Sequence, residues 1–121
     1  LALLTSATTP TKAINLFSEL TEIAAGNGYT TGGNALTAAT DFTVTEVDST
    51  VGAKVVLSDQ TWTASAGNLP SSGDGARWAV LLDGSVSGSN VLAYFDLVSD
   101  RTVSDTQTLT IQAAEIDANE P

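Results

Sequence analysis

Four charged side chains border the most apolar segments of the chain: Asp59, Arg77, Asp83 and Asp96. A planar guanidinium beside covered strands matches a carboxylate in a two-pronged pair. Arg77 directly precedes Trp78, and Asp59 and Asp96 are its candidate partners. A substrate-binding arginine is the functional alternative. The structural pair is favoured, because a charge next to a core must be matched. Two carboxylates at a suitable separation could also hydrolyse a glycosidic bond. Fourteen Asp and Glu make some such pair almost inevitable by chance, and no pattern marks one with a raised pKa. Calcium would need oxygens converging from separate loops. Asp74, Asp100 and Asp105 could supply some, but no segment matches an EF-hand loop. These acids read as solvated loop residues.

Other chemistry is limited by what the chain lacks. It contains no histidine and no cysteine. That removes the usual general base near neutral pH, the thiolate nucleophile, the common zinc ligands and any disulfide. No metal or cofactor is expected, and an enzyme is the weakest of the functional classes. The run Gly26-Asn-Gly-Tyr-Thr-Thr-Gly-Gly33 could in principle present N–H groups to an anion. No Lys-Ser/Thr follows it, so it reads as turns needing positive φ around an anchoring Tyr29. Trp62, Trp78, Tyr94 and Phe95 would stack on sugar only if exposed, and rings in alternating strands are more often core. Trp62, with threonine on both sides, is the ring expected at the surface. Tyr29, Trp62 and Leu69 are the interface candidates.

Charge narrows the partners. The 121 residues carry a formal charge of −10, with only Lys12, Lys54, Arg77 and Arg101 as cations. Nucleic-acid binding needs clustered Lys and Arg to replace counterions. Neither nucleic acid nor an anionic membrane is therefore an expected partner. No apolar run approaches the length of a membrane-spanning helix. The length suits one domain, expected over residues 1–113, followed by an acidic, poorly ordered tail over 114–121.

The elements that must position these groups centre on Ala76–Asp96. Two apolar runs flank a Gly/Ser/Asn loop, the pattern of a β-hairpin. Trp78, Val80 and Leu82 share one face, and Arg77, Ala79, Leu81 and Asp83 the other. In the second run Val91, Ala93 and Phe95 alternate with Leu92, Tyr94 and Asp96. Both faces are largely apolar, so both strands are expected to be central and covered on two sides. Strands are also expected over Leu1–Thr5, Ala35–Val47, Lys54–Ser58, Thr61–Thr63, Leu97–Asp105 (turning at Asp100-Arg101) and Thr106–Ala113. Asp48–Gly52 reads as a turn, and Ala64–Gly75 as a long loop of functional or mobile type. Asn15–Ala25 has the one helical pattern, with Asn15 as N-cap and Gly26 closing it. The sum is an all-β fold, an antiparallel β-sandwich or jelly roll of about seven or eight strands with one short N-terminal helix. Trp78, Val80, Leu82, Ala93, Phe95, Leu109 and Ile111 are its expected core.

A resemblance adds to this reading. Gly28-Tyr-Thr-Thr-Gly-Gly33, Asp59-Gln-Thr-Trp-Thr63, Ala76-Arg-Trp-Ala-Val-Leu81, Leu92-Ala-Tyr-Phe-Asp96 and Thr108-Leu-Thr-Ile111 follow in that order. The series resembles a family of small virion structural proteins of tailed bacteriophages. Leu1-Ala-Leu-Leu-Thr5 is similar to that family's early strand, before which further residues normally stand, so a start upstream of Leu1 is expected. The chain departs from the family in Trp78, where Tyr is common, and in Gln112-Ala113, where an aromatic often ends the last strand. The resemblance implies a component on the exterior of a phage particle. A capsid decoration or cement protein is the leading expectation, with the major capsid protein as partner and a dimer or trimer as the assembly. The Asn34–Thr40 and Ala64–Gly75 segments would pack on the shell and on sister copies. The alternatives are a tail, collar or fibre-attachment component meeting tail or portal-vertex proteins, and a carbohydrate-binding β-sandwich using an exposed Trp62 or Tyr29.

Overall fold

The computed structural model describes residues 1–48, 52–112 and 114–119. Among these residues eight strands, paired antiparallel, form three sheets in a sandwich-like all-β arrangement. The first sheet has the order β1-β5-β6, from Ala2–Leu4, Ala76–Asp83 and Asn90–Arg101. The second has the order β2-β3-β8, from Phe42–Asp48, Gly52–Leu57 and Glu115–Asn119. The third pairs β4, Gln60–Thr63, with β7, Thr108–Ile111.

β5 divides the apolar residues between two cores, because successive side chains leave a strand on opposite faces. Ala76, Ala79 and Leu81 face the main core, with Leu1, Leu3, Leu57, Trp62, Leu69 and Ile111. Ala93, Phe95, Leu97 and Leu109 pack against it. Val80 faces a smaller core with Ala2 and Leu4, flanked by Trp78, Leu82, Val91, Phe17 and Leu20. The seven expected core residues all contribute to one of these two clusters. Of the hairpin strands, only β5 is covered on both sides. β6 is an edge strand whose outer face is exposed, contrary to the expectation of two central strands.

Three local expectations are corrected. The Asn15–Ala25 helix is a single 3₁₀ turn, Phe17–Glu19. Glu19 folds back so that its carboxylate accepts the N–H groups of Asn15 and Leu16, at 3.0 and 2.9 Å. Beyond it the chain is extended and completes the open side of β1. Thr5 N–H donates to Thr21, and Ile23 N–H to Leu3. A short isolated helix is marginal in water, and an unpaired strand edge offers backbone bonds that the helix cannot match. The helix that does form is Ala38–Asp41, ahead of β2.

The break expected at Asp100-Arg101 is instead a bulge. β6 continues to Arg101, and its register against β5 shifts between Ala76 and Trp78. Val98 lies in this region with φ +70, a conformation that a β-branched residue rarely adopts.

The acidic tail is a strand over Glu115–Asn119, with residues 120–121 outside the described set. It pairs with β3, Ile116 packs against the main core, and Lys54 meets Glu115 at 2.8 Å. An exposed ion pair adds little, so the ladder and Ile116 hold β8 in place. The turn expected over Asp48–Gly52 falls on positions 49–51, outside the described residues.

Candidate interaction surface

β6 exposes three large apolar side chains. Leu92 is 60% exposed, Tyr94 42% and Val98 78%. Beside them lies a group built by the bulge. Trp78 stands opposite Asp96 in the ladder and Val80 opposite Tyr94. The irregularity at Arg77 lets its guanidinium lie over the Trp78 ring, 4.6 Å from the centroid. The same guanidinium pairs with the Asp96 carboxylate. Val98 N–H donates to that carboxylate at 2.6 Å, which ties the strained backbone to the ion pair. Trp78 and Tyr94 meet edge to face, their centroids 6.1 Å apart. Trp, Tyr and Arg in one partly desolvated cluster is the composition typical of binding hot spots. Asp59, the other candidate partner of Arg77, lies between β3 and β4.

Leu92 joins this strip to a cleft of about 610 Å³. Leu36, Phe42, Leu82 and Phe17 form its apolar walls, and Asp83, Ser85 and Asn34 supply polar edges. The wall carrying Ala35 and Ala38 is held by Asp41. Its carboxylate accepts the Thr37 N–H and the Ser58 hydroxyl, each at 2.7 Å. These bonds, the Thr37 N–H first, hold Asp41 below the usual carboxylate range. Asp83 is lowered likewise by the hydroxyl and N–H of Ser85, so this end of β5 stays ionised.

The three interface candidates lie elsewhere and are all buried. Trp62 is 3% exposed. β4 alternates Gln60 and Trp62 inward with Thr61 and Thr63 outward, so the flanking threonines that suggested exposure are what turn the indole inward. Leu69 is fully buried, and its backbone exchanges two 2.9 Å bonds with Val103 in the middle of the long loop. Tyr29 packs its ring 6.3 Å from Trp62. Its hydroxyl donates to Glu22 at 2.6 Å and accepts the Leu3 N–H at 2.9 Å. Glu22 also accepts the Gly32 N–H at 2.6 Å. The glycine-dense segment is thus a set of turns wrapped on one buried phenol. Among the described residues no group of three acidic side chains is placed to hold a metal ion. No helix among them is long and apolar enough to cross a membrane.

No family model matches the chain, and neither a curated protein nor a solved structure matches it.

The Tyr29 arrangement makes a prediction. Burial, then the bond to Glu22, pushes the phenol far above its ordinary value near 10. The native state therefore keeps its proton where an unfolded chain gives it up. Stability from this group is complete below pH 10 and falls as pH rises further. Tyr29→Phe removes this alkaline loss. It also strands the buried Leu3 N–H, so at neutral pH it costs about 1–3 kcal/mol. Urea unfolding of both proteins across pH 7 to 11 measures the two effects.

Proposed function

We propose that this chain is an adhesive structural protein of a tailed-phage particle, a decoration or cement protein on the outside of the head. The observation that carries the reading is the cleft walled by Leu36, Phe42 and Leu82 with exposed Leu92 at its lip, on the strand that also exposes Tyr94 and Val98. Apolar surface of this kind, rimmed by polar groups, is typical of binding sites for other macromolecules. The ordered series of motifs from Gly28 to Ile111, similar to small virion proteins, supports the same reading. The exposed Asn34–Thr40 segment forms one side of the cleft and would bear on the major capsid protein. Excess acid would keep free subunits soluble and off DNA, and would complement a basic shell. Each contact can be weak, because the shell presents many sites at once. This reading gives no residue a catalytic role. A sugar platform built on Trp62 or Tyr29 loses its basis, since both rings are buried.

Heads and tails purified separately from the phage that encodes the chain provide the test. The protein is expected to co-sediment with heads. Ala35→Lys, at an exposed position on the cleft, should weaken that binding by roughly tenfold while leaving the melting temperature unchanged. Binding to tails alone would move the protein to the tail, collar or fibre attachment. Binding to neither would overturn the proposal.

A further inference from the structure

The free edge of β6 has a backbone that can be read group by group. Leu3 N–H donates to Tyr29, and Leu3 C=O accepts from Ile23. Both groups of Leu3 therefore point away from β5. Alternation along an antiparallel ladder then directs Ala2 and Leu4 to Val80 and Trp78, and leaves Ala79 and Leu81 to bond Phe95 and Ala93. Tyr94 and Asp96 must present their N–H and C=O groups outward. Asn15 and Leu16 cover only the start of this edge, at Val91 and Asn90. From Leu92 to Val98 there is no lysine and no proline, and the bulges at either end leave Ala93–Asp96 as the regular open edge.

The charge around this edge differs from the rest of the chain. Arg77 and Arg101 balance Asp96 and Asp100, so the formal charge of −10 lies entirely elsewhere. A basic partner would be drawn to the other surfaces. Two copies of this chain, each of formal charge −10, meet with little charge repulsion at a balanced strip such as this one.

We infer that β6 pairs with β6 of a second copy, antiparallel about a two-fold axis at Phe95, joining two sheets into one of six strands. This register places Tyr94 against Asp96 of the second copy, so that each such pair exchanges two backbone hydrogen bonds. Leu92 and Val98 of the second copy then meet through their side chains alone, because Val98 N–H is held by Asp96, and no like charges stand directly opposite one another. The pairing rests on the adhesive reading above for its purpose but not for its geometry.

The test uses the whole chain. Sedimentation equilibrium is expected to show a dimer of the 12.3 kDa chain. Val98→Lys should raise its dissociation constant roughly tenfold or more with an unchanged far-UV spectrum. The chain has no cysteine of its own, so introduced thiols report unambiguously. The double variant Leu92→Cys/Val98→Cys should form a covalent dimer on mild oxidation. Each single variant should not, because like positions lie about 20 Å apart in this register. A chain that stays monomeric, a dimer indifferent to Val98→Lys, or a covalent dimer from Val44→Cys on the edge strand β2 would overturn the pairing. Binding to heads is scored separately. A monomer that binds heads defeats only the pairing, and a dimer that ignores them defeats only the particle role.

Discussion

Trp62→Ala should lower the free energy of unfolding by about 3–5 kcal/mol, the usual cost of deleting a large buried ring. The indole is almost wholly enclosed and touches the Tyr29 ring. Trp62 also links the β4–β7 pair to the main core. Its Nε1–H finds no acceptor among the described residues, and an unmatched buried donor is itself costly. Trp62→Phe removes that donor while keeping much of the ring, so its loss should be roughly half as large or less. Urea midpoints of the two variants measure the difference. An alanine variant as stable as the parent would return Trp62 to the surface role that its threonine neighbours first suggested.

Gly28→Ala should be as damaging for a different reason. Gly28 has φ +98, and a Cβ there would lie 2.0 Å from the Thr63 carbonyl oxygen. The obstacle is backbone at the end of β4, which cannot swing aside as a side chain could. Strain in φ and displacement of the strand together should cost at least about 3 kcal/mol. Gly32 in the same segment separates the two contributions. It has φ +89, but a Cβ there meets nothing within 4 Å. Gly32→Ala should therefore cost only the conformational strain, about 1–2 kcal/mol. Thermal melts of the two variants give the comparison, and equal losses would show that the contact with Thr63 is unimportant.

The parts of the fold that were legible in the sequence are those fixed by alternation over several residues. The Ala76–Asp83 and Asn90–Arg101 pairing follows from two apolar runs and the loop between them, and the division of Val80 from Ala79 and Leu81 follows from period two. An edge is not written in a strand's own residues. Leu92, Tyr94 and Val98 have the apolarity of covered positions, and only the strand order shows that nothing lies over them. The 15–25 segment misled because the leucine spacing admits a helix, while the partner that wins, the open side of β1, lies far away in sequence. Glu115-Ile-Asp looked like a solvated tail because a single isoleucine is too little apolar signal to mark a strand. For Trp62 the information was present: threonines at both neighbours in a strand imply that the residue between them points the other way. The Arg77–Asp96 pair was legible as one of two options. Its placement over Trp78 was not, since it depends on a bulge.

The reciprocal bonds between Leu69 and Val103 bear on how the surface could be re-engineered. They divide the long 64–75 connection at its middle. Asn27 holds the Asn68 carbonyl on one side, and Ser71 reaches the Ala25 carbonyl on the other. The ordering cost of closing this segment is thus split between two short arcs. Foreign peptide spliced between Ser72 and Asp74 would lengthen one arc alone and leave Leu69 anchored, which makes that tip a natural site for display.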